Sequence, residues 1–133
     1  MVKDLLYKEL AYKLQGIIFE VYKILGSGFK ESVYQNALEE EFVKQNCLYK
    51  REPTLTIKYK GKLVGYYRPD FVIDDKIIIE LKAVPIMPKY FETQLYYYLK
   101  ATSYKLGLLV NFGADGKVDI RRRIYDLVRK EKF

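Results

Sequence analysis

The stretch Ile77-Ile78-Ile79-Glu80-Leu81-Lys82-Ala83 decides the fold of this chain, together with Arg68-Pro69-Asp70, which precedes it. Successive side chains of a β-strand point to opposite faces, so Glu80 and Lys82 share one face of the predicted strand. Asp70 begins the preceding segment, and nine residues separate it from Glu80. Two carboxylates beside one ammonium group are what a divalent cation and an attacking water need for phosphodiester hydrolysis.

The amino-acid composition excludes several kinds of active site. The chain has 133 residues, no histidine and one cysteine. This excludes Ser-His-Asp and Cys-His catalysis, His-dependent nucleases and zinc sites built from Cys and His. Cys47 lies in a polar stretch and is expected to be an ordinary thiol, because a reactive cysteine needs an electropositive setting. Catalysis would have to rest on carboxylates, Lys, Tyr, Gln and a hard cation such as Mg²⁺ or Mn²⁺.

Length and charge limit the domain count and the class of partner. A chain of 133 residues, half of them apolar, is expected to form one domain over residues 1–133. No apolar run approaches the ~20 residues that cross a bilayer, and the first residues lack the apolar segment of a signal peptide. We therefore expect a cytoplasmic protein without membrane contact. The formal net charge of +7 favours polyanionic partners such as nucleic acids.

Hydrophobic periodicity and turn signals predict elements in the order ααβββαββ. The predicted helices cover Asp4–Leu25, Glu31–Gln45 and Tyr90–Thr102, because apolar residues recur there every three or four positions. The predicted strands cover residues 55–59, 63–73, 77–83, 106–112 and 118–125, with turns at residues 60–62, 74–76 and 115–116. A sheet built from hairpins with helices packed against it is a mixed α/β or α+β fold.

Basic residues concentrate near the C-terminus, in Arg121-Arg122-Arg123 and Arg129-Lys130. Alternation along the last predicted strand puts Arg122 on its apolar face, with Arg121 and Arg123 on the opposite face. The segment is either a solvated edge strand with a frayed tail or part of a nucleic-acid interface.

Four motifs on these elements resemble the PD-(D/E)XK nuclease superfamily and, within it, the small bacterial and archaeal GxxExxY proteins. The GxxExxY motif stands as Gly28-Phe29-Lys30-Glu31-Ser32-Val33-Tyr34. The superfamily signature stands as Pro69-Asp70 and Glu80-Leu81-Lys82, followed by Ala83-Val84, and Gln94 is the glutamine of the next helix. The resemblance extends from about Ile17 to Tyr125. It implies a restriction-endonuclease-like core with a central mixed β-sheet flanked by helices.

The resemblance also implies an activity, which is metal-dependent hydrolysis of phosphodiester bonds in nucleic acid, with DNA as the expected substrate. Asp70, Glu80 and the main-chain carbonyl of Leu81 would hold Mg²⁺ or Mn²⁺, and Glu31 would contribute directly or through water. Lys82 would either orient or deprotonate the attacking water, or stabilise charge on the phosphate.

The remaining site residues that the resemblance implies lie outside this carboxylate group. Gln94 would complete the catalytic set of Asp70, Glu80 and Lys82 by contacting the metal–water network or the DNA backbone. The expected nucleic-acid contacts are Arg68, Tyr98, Arg121 and Arg123.

Each of these residue types also has a purely structural interpretation. Asp70 could form an ion pair within its own strand, and Glu80 could form one with Lys82. Glu31 could serve only as a favourable charge in the first turn of a helix. Tyr34 is expected to be a core aromatic residue.

The alternative function is a nucleic-acid-binding or protein-interaction module that keeps the nuclease fold without turnover. At 133 residues there is little room for a separate target-recognition domain, so sequence specificity would need a homodimer or another partner. Exposed tyrosines would serve stacking on single strands or a protein interface. The intact set of Asp70, Glu80 and Lys82 favours the nuclease.

Overall fold

The computed structural model describes residues 6–126, so the predicted helix start at Asp4 and the basic pair Arg129-Lys130 lie outside the described residues. The elements in this part of the chain are α1 (Lys8–Leu25), α2 (Glu31–Lys44), β1 (Tyr49–Arg51), β2 (Leu55–Tyr59), β3 (Lys62–Tyr67), β4 (Phe71–Ile73), β5 (Ile77–Lys82), α3 (Lys89–Thr102), β6 (Leu106–Asn111) and β7 (Asp119–Ile124). None of the helices within residues 6–126 is long and apolar enough to cross a membrane.

Five of the strands form a central mixed sheet in the order β1-β4-β5-β6-β7. The neighbours β5 and β6 run parallel, and α3 connects them, whereas the other pairs are antiparallel. Strands β2 and β3 form a separate hairpin, whose turn at Lys60-Gly61 has positive φ angles at both residues. The predicted mixed sheet flanked by helices is confirmed, and β5, which carries Glu80 and Lys82, is its middle strand.

Two short strands distinguish the observed element order from the predicted one. The segment 63–73, predicted as one strand, divides into β3 and β4, which belong to different sheets. Pro69 lies between them, and a proline cannot donate to a β-ladder. Strand β1 has only three residues, too few to show an alternating pattern.

The central sheet has a buried core on each face. On one face Ile77, Ile79 and Leu81 pack with buried residues of α1 and α2. On the other face Ile78 packs with buried residues of α3, among them Leu95. Because Glu80 and Lys82 alternate with Ile79 and Leu81, they lie on the α3 face of the sheet.

Helix α3 lies very close to the sheet. A Cβ atom added to Gly107 would lie 2.9 Å from the Leu95 Cδ1 atom, so only glycine fits at this point of β6 without a shift of that leucine. The close approach fixes the height of α3 above the end of β5, where the predicted site residues lie.

Candidate functional site

Strand pairing brings Asp70 and Glu80 together. Phe71 of β4 pairs with Ile79 of β5, so the next position outward places Asp70 opposite Glu80. The Leu81 N–H donates a hydrogen bond of 2.7 Å to Asp70 Oδ2. Each carboxyl group affects the pKa of the other, so the two lie close together. Two acidic residues ten positions apart in sequence therefore form one half-buried carboxyl pair.

Tyr67, which the sequence did not single out, forms a hydrogen bond with Glu80, the second residue of this pair. The Tyr67 hydroxyl donates a short hydrogen bond to Glu80 Oε2. Its ring lies flat against Tyr98, with 3.9 Å between centroids and 3° between planes. Tyr98 was predicted to contact nucleic acid, and the structure also makes it the support of the tyrosine that orients Glu80.

Loss of solvent dominates the electrostatics of the carboxyl pair. The pKa of Glu80 is raised to about 7, chiefly by burial and also by the charge of Asp70, against the opposing effects of the Tyr67 hydrogen bond and the charge of Lys82. Burial also raises the pKa of Asp70 above its ordinary value, against the Leu81 N–H. Without a cation, the pair therefore retains a proton to a much higher pH than two exposed carboxyls would.

This raised pKa predicts that stability falls as the pH rises. Glu80 binds its proton more tightly in the folded chain than in the unfolded chain, where its pKa is near 4.5. Its contribution is therefore complete below pH 4.5 and is lost as the pH rises through 7, a decrease of roughly 3 kcal/mol in the free energy of unfolding. Urea unfolding in EDTA at several pH values between 5 and 8 measures this decrease. In Glu80→Gln the free energy of unfolding should change less with pH, and a wild-type stability that rose between pH 5 and 8 would contradict the prediction.

Lys82 lies at the end of β5, with its Nζ atom 4.3 Å from the centroid of the Phe91 ring. Its charge lowers the pKa values of Asp70, Glu80 and Glu31, so the ammonium group lies within electrostatic reach of all three. Within residues 6–126, Lys82 forms no ion pair with a carboxylate at 4.0 Å or less. The structure therefore does not contain the purely structural Glu80–Lys82 ion pair.

The GxxExxY segment places Glu31 beside the same group. The buried Tyr34 hydroxyl donates to the Gly26 carbonyl at 2.5 Å and accepts from the Phe29 N–H at 3.3 Å. These bonds fix the loop before α2, where Gly28 has a φ of 115° and Glu31 is the first helical residue. Partial loss of solvent and the charge of Asp70 raise the pKa of Glu31. Tyr34 is a core aromatic as expected, and its hydroxyl also positions the start of α2.

Two other predicted residues form their hydrogen bonds with residues outside the carboxyl pair. Gln94 Nε2 donates to the Tyr90 hydroxyl at 3.4 Å, one turn earlier on α3. Arg68 is exposed, and its Nη2 donates to Thr54 Oγ1 at 3.3 Å. The Asp70–Arg68 ion pair that the sequence left open is not formed in the described part of the chain.

Arg121 and Arg123 are both bound by Glu92, a buried residue of α3. Arg121 contacts Glu92 Oε1 at 2.8 Å and Asp119 Oδ2 at 2.9 Å, and Arg123 forms a short ion pair with Glu92 Oε2. The two arginines thus fasten β7 to α3. They face α3 as the alternation predicted, and a role in nucleic-acid binding stays a prediction. Glu92 lies three residues before the buried Leu95, a helical spacing that would have shown that it faces the sheet.

Asn111 is a second residue that the sequence interpretation missed. Its buried side-chain amide pairs with the Val84 backbone, donating to the carbonyl at 2.9 Å and accepting from the N–H at 3.0 Å. Gly113 lies so close that an added Cβ would be 2.4 Å from the Val84 nitrogen. Together they hold the chain directly after Lys82. A polar residue inside an apolar run, two positions before a glycine, was the available signal.

The donor atoms of the carboxyl pair fit a hard divalent cation. Once the retained proton is lost, the two half-buried carboxylates carry two negative charges that one divalent cation would neutralise, and oxygen is the donor that Mg²⁺ prefers. In residues 6–126 no three His, Cys, Asp or Glu side chains converge into a cation cage. Asp70 and Glu80 are thus the two predicted carboxylate ligands that the structure brings together, and Glu31 does not join them in a three-residue group within the described part of the chain.

Two solved structures share the fold of this chain. The crystal structure of SSO0001 has a TM-score of 0.55 at 21% sequence identity, and covers 75% of this chain and 52% of its own. The crystal structure of an alkaline exonuclease from Laribacter hongkongensis has a TM-score of 0.50 at 12% identity, and covers 77% of this chain and 60% of its own. The chain therefore spans between half and two thirds of the length of these two proteins.

Sequence comparison identifies the family. Among curated proteins, none matches the sequence of this chain. The family model of the PD-(D/E)XK nuclease superfamily matches residues 8–123, which include both residues of the carboxyl pair and all the elements described above except the last residue of β7. The chain therefore belongs to the PD-(D/E)XK nuclease superfamily.

Proposed function

We propose that this protein is a metal-dependent nuclease that hydrolyses phosphodiester bonds in DNA. The observation that carries the proposal is the half-buried Asp70–Glu80 carboxyl pair at the end of β5, with the Lys82 ammonium group within electrostatic reach. Members of the superfamily generally use divalent cations, and the alkaline exonuclease with a similar fold supports nucleic acid as the substrate class.

Asp70 and Glu80 would hold Mg²⁺ or Mn²⁺. The N–H and C=O groups of one strand residue point to the same side, and the Leu81 N–H points to Asp70. The Leu81 carbonyl is therefore placed to serve as the main-chain ligand. Glu31 would act from the start of α2, directly or through water. When bound, the cation would polarise the phosphate and lower the pKa of a water molecule.

The side chains around the pair would support the reaction by position and charge. Lys82 would orient or deprotonate the attacking water, or stabilise the negative charge that grows on the phosphate. Tyr67 holds Glu80 through its hydroxyl, and Asn111 holds the backbone that follows Lys82. Gln94 would contact the metal–water network or the substrate backbone from α3.

Two narrower parts of the proposal, membership of the GxxExxY group and a homodimer, rest on the sequence. The Gly28, Glu31 and Tyr34 pattern supports membership of the GxxExxY group, since the structure gives each of the three residues a role in presenting the start of α2. A homodimer would supply the recognition surface that a chain of this length lacks.

Cleavage assays with Lys82→Ala test the proposal. Labelled single-stranded, duplex and branched DNA and RNA are incubated with the wild-type protein in Mg²⁺ and in Mn²⁺. We expect metal-dependent cleavage that falls roughly 10²- to 10⁴-fold in Lys82→Ala, the range for loss of a positioned proton-transfer group.

The matched control is Lys23→Ala, which removes one exposed positive charge from α1 on the other side of the sheet. It should cleave like the wild type. A contaminating nuclease would survive both substitutions. Absence of cleavage across the panel, with tight binding retained, would replace the nuclease by the binding module.

A further inference from the structure

An aromatic groove runs along the outer side of α3, between this helix and strand β2. Its cavity of about 330 Å³ lies at the lower end of the range for small-ligand sites. The lining side chains include Ile57, Tyr90, Gln94, Tyr97, Tyr98 and Ala101. The α3 members recur at helical spacing from Tyr90 to Ala101, a distance of about 16 Å along the helix.

The tyrosines of this groove present ring faces that the protein core does not use. Tyr90 is 63% exposed and Tyr97 is 58% exposed. Planar aromatic faces at the surface are stacking platforms for nucleobases, and because every base has a π-face, this stacking is tolerant of sequence.

The charges around the groove match a polyanion. The β2–β3 hairpin contributes no acidic residue, and Glu92 is the one acidic residue of α3. Glu92 is buried and already paired with Arg121 and Arg123. The lysines of these two elements are all exposed, namely Lys58, Lys60, Lys62, Lys89 and Lys100. Lysines beside aromatic faces are the combination that binds single strands through both backbone and bases.

The groove is continuous with the carboxyl site. Tyr98, which lines the groove, stacks on Tyr67, and Tyr67 donates to Glu80. At the start of α3 the Tyr90 ring lies 5.8 Å from that of Phe91, which carries Lys82 on its face. Through Tyr67 and Phe91, ring contacts therefore connect the residues of the groove to Glu80 and Lys82.

We propose that this groove binds single-stranded nucleic acid by stacking unpaired bases on Tyr90 and Tyr97 while the surrounding lysines neutralise the phosphates. The inference rests on the proposed function, for which it names the substrate class. Bases in a duplex are stacked on one another and cannot offer their faces to tyrosines, so a single strand or a single-stranded end is the substrate that the groove selects.

Binding measured without turnover tests this inference separately from catalysis. Fluorescence anisotropy in EDTA gives the Kd of the wild type for labelled single-stranded DNA, single-stranded RNA and duplex DNA. Tyr97→Ala and Tyr90→Ala should each weaken single-strand binding about 5- to 100-fold, and duplex binding less. Tyr97→Phe, which keeps the ring, should bind like the wild type. The DNA and RNA arms identify which strand the groove prefers.

Tyr12→Ala is the matched control, since Tyr12 is a 78% exposed tyrosine on α1, away from the groove. It should leave binding unchanged. Equal single-strand affinity in the groove variants and the wild type would overturn the inference, even if Lys82-dependent cleavage were present. A change in oligomeric state of the groove variants, with binding unchanged, would overturn it in favour of a protein interface. Groove-dependent binding without any cleavage would support it and refute the nuclease.

Discussion

Asp70→Asn is expected to abolish both cleavage and stabilisation by metal. Millimolar Mg²⁺ should raise the melting temperature of the wild type, because a ligand that binds only the folded chain adds about 1.4 kcal/mol at ten times its Kd. That corresponds to a few degrees for a chain of this size. In Asp70→Asn the rise should vanish, and cleavage should fall by about 10³-fold or more, since half of the anionic ligand set is gone.

The substitution Asp70→Asn removes the negative charge of the side chain but keeps its size and its ability to form hydrogen bonds. Its amide oxygen can still accept from the Leu81 N–H, and its NH₂ group can donate to Glu80. Without metal at pH 8, the variant should be at least as stable as the wild type, because two carboxylates ~4 Å apart repel by about 4 kcal/mol at an effective dielectric near 20. Differential scanning fluorimetry over a metal titration measures both effects. An unchanged wild-type melting temperature would count against a metal site.

Tyr34→Ala is expected to cause the largest loss of stability. The Tyr34 ring is fully buried and lies flat on Phe112, with 4.2 Å between centroids. Removing a buried aromatic side chain costs about 3–5 kcal/mol, and the Gly26 carbonyl loses its donor as well. Urea denaturation in EDTA gives the change in the free energy of unfolding.

Tyr34→Phe separates the ring from the hydroxyl. It should cost about 1 kcal/mol, the value of one buried hydrogen bond, and leave the stacking on Phe112 intact. Tyr12→Ala, on the exposed side of α1, should change stability by less than about 0.5 kcal/mol. Equal costs for Tyr34→Ala and Tyr34→Phe would mean that the hydroxyl, and not the ring, dominates.

Local sequence patterns were sufficient to predict most of the fold. The three isoleucines before Glu80 identified the middle strand, because an apolar run bounded by turns is typical of a strand covered on both faces. The alternation along the last strand correctly placed Arg121 and Arg123 on the face opposite Arg122. The undivided strand over residues 63–73 was the main error, since its apolar content outweighed the effect of Pro69.

The candidate site was less predictable because its partners are distant in sequence. Tyr67 binds Glu80 from another sheet, and a tyrosine at the end of an apolar strand has no local feature that distinguishes it from a core residue. Asn111 and Val84 meet across 27 positions. Glu92 lies 31 positions before Arg123, so the ion pair that occupies this arginine could not be read from the charge of the arginine run alone.

The separate β2–β3 hairpin has a consequence for engineering. It leaves the central sheet after β1 and returns before β4, so residues 58–64 at its tip are exposed and lie outside both cores. A hairpin tip of another length or composition could be exchanged there without rebuilding the scaffold. The exchange has to stop before Tyr67, whose hydroxyl holds Glu80. A library of tips would thus vary this exposed surface while the carboxyl pair stays constant.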